Sequence, residues 1–208
     1  MTDPRGPATL AQQWTAKLAN LGSRLSEGYE VAFMEEMVRT YGVVRLARHG
    51  LTLNAILVDL EARYGPVDSQ LLLGFASFWE GCTYCSRGHV LAANLFHFRD
   101  TGELLDLQAA DVLTLRRHPD EQILEELRGR FAGRPALWAA VQRQHQLLTG
   151  RGGDPQPDDP ILEATLCMAS WLAECTIVLV DSDTLPPALH RDVASDHELL
   201  DAYRRARA

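Results

Sequence analysis

The chain has 208 residues, of which 46% are apolar and 23% charged, and its formal net charge is −8. This length supports one substantial hydrophobic core, and the composition is ordinary for a globular protein. The 20 lysines and arginines are scattered along an acidic chain. That balance argues against nucleic acid or an anionic membrane surface as the main partner.

The beginning of the chain and its cysteine content bear on the compartment. Residues 1–7 are followed by no apolar stretch of signal-peptide length, and no segment approaches the ~20 residues needed to span a bilayer. We therefore expect a cytoplasmic protein without a membrane span. Four cysteines are too few for a disulfide scaffold. In a reducing compartment, a closely spaced cysteine pair more often indicates redox chemistry or metal binding.

The first half of the chain shows helical periodicity. Apolar residues recur at intervals of three and four from Phe33 to Tyr41 and again from Leu53 to Leu60. Gly65-Pro66 is predicted to close one helix, and Asp68 to cap the next.

The second half continues the pattern. Apolar stripes run from Ile123 to Phe131 and from Leu137 to Leu148, and a further core helix is predicted from Ile161 to Val180. A capping box beginning at Ser195 predicts a last helix. Runs of alternating Val, Ile and Thr are missing, so we expect no sheet.

The chain is therefore predicted to fold as an all-α multi-helix bundle, with one domain over residues 1–208. Its one long segment rich in Gly and Pro, residues 149–160, is predicted to be a surface loop within that domain. The roughly 50 residues that follow are too few for a core of their own.

Residues 82–89, Cys-Thr-Tyr-Cys-Ser-Arg-Gly-His, concentrate the chemistry of the chain. If Cys82 lies near the start of a helix, just after Gly81, Cys85 and His89 follow at about 300° and about 340° around the axis. All three side chains then share one face. Cys85 and His89 form an i, i+4 pair, close enough to interact.

Each part of this pattern has a chemical use. The thiolate is the form of cysteine that attacks peroxides and disulfides, and a free thiol is mostly protonated at neutral pH. A helix N-terminus and a neighbouring histidine both favour the thiolate. The second cysteine can resolve an oxidised sulfur as a disulfide, which stops oxidation at a reversible stage. The pairing of Cys85 with His89 favours Cys85 as the activated thiol.

Other interpretations of these residues remain open. Cys82, Cys85 and His89 could be buried together by coincidence, or they could bind zinc, although a structural zinc site needs a fourth protein ligand. Cys167 and Cys175 are predicted to be small core residues. The remaining histidines have no partner at ligand spacing and are expected at the surface or an interface, except for one on the stripe of a core helix (His145): His49, His97, His118, His190 and His197. We predict no metal and no cofactor.

The segment from Gln70 to His89 resembles the AhpD-like, or carboxymuconolactone decarboxylase, family. Members of its peroxidase branch carry a helix ending near a serine, followed by Asn-Gly-Cys-x-Tyr-Cys-x-x-x-His. The resemblance extends over about residues 40 to 95, and the matching positions are Ser77, Gly81, Cys82, Tyr84, Cys85 and His89.

The resemblance implies a homo-oligomer with an all-α fold and a thiol-dependent alkylhydroperoxide reductase activity of antioxidant type. It implies that Cys85 attacks a small hydroperoxide and that Cys82 resolves the product as a redox-active disulfide. A dithiol or a lipoyl-type protein is the reductant that it implies.

The sequence departs from the family pattern at two positions. Gln70 stands where the family's proton relay has Glu, and Glu80 stands where it has Asn. Because an amide cannot shuttle a proton, we hypothesise that Glu80 supplies the missing carboxylate to His89, directly or through a water. The alternative is that Glu80 only caps or solvates its loop.

Two other functions stay open. A non-enzymatic redox sensor, or an oligomeric interaction protein, could form the same disulfide slowly. This alternative stays open because Gln70 stands in place of the relay carboxylate. A decarboxylase-type lactone enzyme fits less well, because that branch does not depend on the cysteine pair. Apolar residues near the N-terminus, Trp14, Leu18 and Leu21, could face a partner subunit or pack on their own core.

Overall fold

The structure, a computed structural model, describes residues 8–176 and 186–207. These residues form helices and no strand, which confirms the all-α prediction. The helices are α1 (Leu10–Glu27), α2 (Met34–Trp79), α3 (Thr83–Thr101), α4 (Asp111–Leu115), α5 (Asp120–Arg130), α6 (Pro135–Leu148), α7 (Asp159–Thr176), α8 (Arg191–Ala194) and α9 (His197–Arg207). The last four residues of the helix predicted from Ile161 to Val180 lie outside the described residues. None of the described helices is long and apolar enough to cross a membrane.

Helix α2 is interrupted twice by glycine. Gly42 has φ 70° and Gly65 has φ 75°, values that belong to no helix. These breaks divide α2 into residues 34–41, a middle segment of residues 43–64 and a last segment of residues 66–79. The break predicted at Gly65-Pro66 is thus confirmed, since the proline occupies the first helical position after it.

Two predicted helix caps were wrong. Asp68 does not cap the last segment of α2; it lies in the first turn and forms an ion pair with Arg134. Ser195 does not cap α9, because that helix begins one residue later than the pattern indicated. Asp196 takes the capping role, and its Oδ1 accepts the N–H of Leu199 at 2.9 Å.

The last segment of α2 and helix α3 form the centre of the bundle. Every residue from Ser69 to Phe78 is buried, and so is every residue from Tyr84 to Phe96. Helices buried on all sides have no polar face. The main hydrophobic core surrounds this pair with side chains from α5, α6, α7 and α9. Gln70 and Ser77 on one side of the cysteine pair, and His89 on the other, therefore lie on fully buried stretches of helix.

The loop predicted at residues 149–160 is two residues shorter than expected. Asp159 and Pro160 already belong to α7, and a proline in the first turn of a helix costs nothing because that N–H has no partner there. The buried guanidinium of Arg143 donates to Asp159 at 2.6 and 2.7 Å and to the carbonyl of Asp154 at 2.9 Å. This ion pair ties the loop to the bundle and lowers the pKa of Asp159 to about 2.

Candidate active site

A tight turn between α2 and α3 positions the first cysteine. Gly81 has φ 93°, a conformation that favours glycine. The N–H of Gly81 donates to the carbonyl of Phe78 at 3.1 Å, and the N–H of Cys82 donates to that of Ser77 at 2.9 Å. These two bonds form a Schellman motif, which ends α2 and lets α3 begin at once. The glycine of the sequence motif therefore has a local structural role, whereas Ser77 contributes only its backbone carbonyl to the turn.

Cys82 is the N-cap of α3, as the sequence predicted for its place near the helix start. The backbone N–H of Cys85 donates to Cys82 Sγ at 3.1 Å. Unpaired N–H groups and the partial positive charge of a helix N-terminus favour a thiolate at such a position. A disulfide joins Cys82 to Cys85, with 5.4 Å between their Cα atoms.

The two cysteines differ in what they face. Both are buried, but Cys85 lines a cavity of about 230 Å³, whereas Cys82 does not line it. His89, one turn after Cys85 on α3, lines the same cavity. The remaining walls are largely apolar and come from α1, the loop before α2, α2, α3, α7 and residues 189–191: Ser23, Glu27, Tyr29, Val31, Phe33, Met37, Gly50, Leu53, Asn54, Leu57, Leu73, Tyr84, Leu172, Leu189, His190 and Arg191.

One side of the cavity is held by hydrogen bonds to α1. Asn20 Oδ1 accepts the N–H of Val31 at 2.8 Å, and Asn20 Nδ2 donates to the carbonyl of Val31 at 3.1 Å. Ser23 Oγ donates to the carbonyl of Tyr29 at 3.0 Å. Nothing in the local sequence around the cysteines indicates these residues, because they reach the site only through the packing of α1.

His89 is paired with Gln70. Its Nδ1 lies 2.8 Å from Gln70 Oε1, and Gln70 is 0% exposed. An amide oxygen only accepts, so Nδ1 carries the hydrogen and Nε2 carries the lone pair. Gly74 lies on α2, one turn after Gln70, and faces α3. A Cβ at this position would come within 3.5 Å of His89 Cβ and 3.2 Å of Val90 Cγ2. The small residue allows the two central helices to approach closely enough for this bond.

The environment of His89 keeps its ring neutral. Burial, and to a smaller extent the nearby His190, lower the pKa of His89 to about 3. The partner is a neutral amide, which stabilises the imidazolium less than a carboxylate would. At neutral pH, His89 is therefore an unprotonated base with its lone pair on Nε2.

His190 is at the cavity and not at the surface, contrary to the expectation for the isolated histidines. Its side chain is 4% exposed and its Nε2 lies 2.9 Å from Glu61 Oε1. Its Nδ1 accepts the N–H of Asp192 at 3.2 Å and so caps α8. The N–H of Leu189 donates to the carbonyl of Gly88 at 3.1 Å, which fixes this segment on α3. The residues next to His190 in the sequence do not indicate this position, because Glu61 and Gly88, which this segment contacts, are about 100 residues away or more.

Glu80, the predicted replacement for the relay carboxylate, occupies the end of α2. Its backbone N–H donates to the carbonyl of Ala76 at 3.1 Å. Within the described residues its side chain makes no hydrogen bond or ion pair, and the ring of His89 is bonded to Gln70 instead. The role assigned to Glu80 remains a prediction that depends on a bridging water.

The two other cysteines lie in different surroundings. Cys175 is a buried core residue, as predicted, and burial raises the pKa of its thiol to about 11. Cys167 is exposed, contrary to the prediction, because it lies on the solvent side of α7. Neither lines the cavity.

Over residues 8–176 and 186–207, no three or more His, Cys, Asp or Glu side chains are grouped so as to hold a metal ion. Comparison with family models, with curated proteins and with solved structures found no match for this chain. The functional argument therefore depends on the residues of the site and their geometry.

Proposed function

We propose that this protein is a thiol-dependent hydroperoxide reductase in which Cys85 is the attacking thiol and Cys82 the resolving one. The observation that carries the proposal is the placement of the pair. Two cysteines at bonding distance lie at a helix N-terminus, and one of them shares a cavity with a buried neutral histidine. The resemblance of residues 70–89 to the peroxidase branch of the AhpD-like family points to the same chemistry.

The first step oxidises Cys85. His89 Nε2 takes the proton of the Cys85 thiol, and the thiolate attacks the terminal oxygen of R–O–O–H. The S–O bond forms, the O–O bond breaks, and the products are a sulfenic acid at Cys85 and an alkoxide. The alkoxide takes the proton from the His89 imidazolium and leaves as the alcohol. A buried imidazolium beside a neutral amide is a strong acid, which suits this second transfer.

The second step forms the disulfide. The Cys82 thiol loses its proton, its sulfur attacks the sulfur of the Cys85 sulfenic acid and the S–O bond breaks; the departing hydroxide takes up the proton that Cys82 released and leaves as water. The N–H of Cys85 that donates to Cys82 Sγ stabilises this thiolate. A dithiol then reduces the disulfide by exchange and is itself oxidised, which returns both thiols. The dithiol or lipoyl-type reductant belongs to this proposal.

The cavity favours an organic hydroperoxide over hydrogen peroxide. Its walls are mainly Leu, Val, Phe, Met and Tyr side chains. Burial raises the pKa of Tyr84, so its phenol remains neutral and adds no charge. An apolar substituent R gains free energy by leaving water for these walls, whereas hydrogen peroxide has no such group.

The test is peroxide consumption by the purified protein with a dithiol reductant, with cumene hydroperoxide and hydrogen peroxide compared. Turnover should vanish in Cys85→Ser, while Cys82→Ser should form a mixed disulfide between Cys85 and the added dithiol in place of the Cys82–Cys85 disulfide and should turn over more slowly. Cys167→Ser is the matched control and should turn over as the wild type does. Turnover that survives in Cys85→Ser refutes the proposed role.

Gln70 supports a second candidate, a redox sensor with the same disulfide. A neutral amide gives His89 little help in holding a proton, so the thiolate at Cys85 forms rarely. If the protein is a redox sensor, peroxide should produce the Cys82–Cys85 disulfide once, over minutes. No turnover should then be seen when a dithiol is present. Rapid mixing with peroxide, followed by mass spectrometry of the disulfide, separates the two functions.

A further inference from the structure

Helix α1 carries a stripe of large apolar residues that no described residue covers. Trp14 is 64% exposed, Leu18 66% and Leu21 52%, so these residues do not pack on their own core. Leu10 and Leu25 extend the stripe at both ends. The intervals from Trp14 to Leu25 are four, three and four, the spacing of the a and d positions of a coiled coil, and Leu10 lies one turn before them.

The middle segment of α2 exposes a second set of apolar residues: Val43, Val44, Leu51 and Val58. Three of these are spaced seven residues apart. Only Ile56 and Leu60 of residues 43–64 are buried. Helices are stabilised chiefly by packing an apolar face, and a helix with so little packing is marginal in water.

The two exposed sets belong to one layer of the protein. Ala16 of α1 packs against the first part of α2, and Leu46 of the middle segment packs against the same cluster. This layer also forms one wall of the Cys85 cavity, through Ser23 and Glu27 of α1 and through Gly50, Leu53, Asn54 and Leu57 of α2. A wall of the cavity is therefore made by α1 and the middle segment of α2, in which only Ala16, Ile56 and Leu60 are buried.

We propose that the outer face of α1 and of the middle segment of α2 binds the same face of a second copy of this chain, and that this contact holds the cavity wall in place. Each large apolar side chain has roughly 60–120 Å² of apolar surface to bury. The nine residues on this face, at 52–83% exposure, thus offer roughly 350–700 Å². A standard interface buries about 800 Å² per partner, of which a little over half is apolar, so the apolar area of this face is sufficient for one.

A second copy is the occupant that the spacing favours. A two-fold interface brings the same patch of both subunits together, so the patch must be complementary to itself. Stripes with a and d spacing meet this condition, because the knobs of one helix fit the holes of an identical one. The family resemblance implies a homo-oligomer but indicates no surface. The exposed apolar stripes indicate which face associates, and this association does not depend on the redox chemistry.

Sedimentation velocity of the full chain tests the contact. The wild type should sediment at no less than twice 23.1 kDa, and Leu18→Glu/Leu21→Glu should sediment at 23.1 kDa. The control variant, Leu104→Glu/Leu113→Glu, changes two exposed leucines away from this face and should keep the wild-type mass. A monomeric wild type, or an unchanged mass in the α1 variant, overturns the proposal.

Hydrogen exchange tests the link to the cavity wall. Amides of residues 43–64 should exchange about tenfold faster or more in the α1 variant, while those of residues 66–79 keep their protection. Faster exchange throughout the chain would mean that the variant is unfolding, and Trp14→Gln, a milder change on the same stripe, would then replace it. Unchanged exchange over residues 43–64 in a folded monomer refutes the support of the wall by the second copy.

Discussion

Gln70 is the residue whose replacement tests the proton chemistry of the site most directly. Transfer of a proton from a thiol of ordinary pKa, about 8.5, to an imidazole with a pKa of about 3 is uphill by about 7 kcal/mol. Attraction between the resulting thiolate and imidazolium recovers part of that cost. Gln70→Glu places a carboxylate oxygen where Gln70 Oε1 now lies, 2.8 Å from His89 Nδ1.

A carboxylate at that distance should raise the pKa of His89 by about 1–3 units, which lowers the cost of the transfer by about 1.4–4 kcal/mol. If this transfer limits oxidation of Cys85, the rate should rise about tenfold or more. The new carboxylate is itself buried, so the pair titrates as a unit and the gain stays below the upper limit. The pKa is read from the His89 ring signal by NMR, and the rate from stopped-flow oxidation of the reduced protein.

Gln70→Met is the matched control, because it keeps the size of the side chain and removes the acceptor. It leaves the His89 N–H without a partner and should lower the free energy of unfolding by about 1–3 kcal/mol, with no rise in the pKa of His89. A His89 pKa that is equal in the wild type and in Gln70→Glu would refute the assignment of Gln70 as the partner that sets the protonation of the ring.

Two further predictions concern stability. The pKa of His89 is lower in the folded protein than its ordinary value of 6.5, so below pH 6.5 the unfolded chain binds a proton that the folded protein does not; stability should fall by about 1.4 kcal/mol per pH unit from 6.5 toward 3. Urea unfolding at pH 7 and pH 5 should show this loss in the wild type and not in His89→Asn, and equal losses in both would assign the acid sensitivity to other groups. A Cβ at Gly88 would lie 2.5 Å from Leu189 Cγ, so Gly88→Ala should destabilise by about 1–3 kcal/mol, whereas Gly129→Ala, with nothing within 4 Å of its new methyl, should stabilise by about 0.5–1 kcal/mol. Equal unfolding midpoints for the two alanine variants would contradict this account of the contact.

The local part of the site was predictable because it is encoded locally. Periodicity indicated the helices, and the spacing of Cys82, Cys85 and His89 placed their side chains on one helix face. Gly65-Pro66 was recognised as a break because a glycine followed by a proline is a typical signal for the end of a helix. The capping errors at Asp68 and Ser195 have one cause: helix ends depend on competition among several nearby side chains, and a single pattern does not decide it.

The remote part of the site was not predictable from these rules. His190 has no partner at ligand spacing, and its contacts with Glu61 depend on how residues 186–190 dock on α3. Ser23 and Glu27 reach the cavity only because α1 folds back on α2, and Asn20 of α1 holds the lining residue Val31 in place. Sequence spacing reports neighbours along a helix and carries no information about which distant helix will pack there.

The chemistry and the selectivity of the site consequently have different origins in the chain. The thiol pair, its helix N-terminus and the histidine base all lie within residues 70–89, so this short segment is sufficient to indicate redox chemistry. The volume that a substrate would occupy is bounded mostly by α1, the loop before α2, the middle segment of α2 and residues 189–191. Under the proposed function, changes in those elements would alter which hydroperoxide enters without touching Cys82, Cys85 or His89. If the wall that α1 and α2 provide also depends on a second copy, then substrate selection in this protein is partly a property of its assembly. Comparing cumene hydroperoxide with hydrogen peroxide in the monomeric α1 variant would show this as a lost preference with the reactivity of Cys85 retained, whereas an unchanged preference would place selection within the single chain.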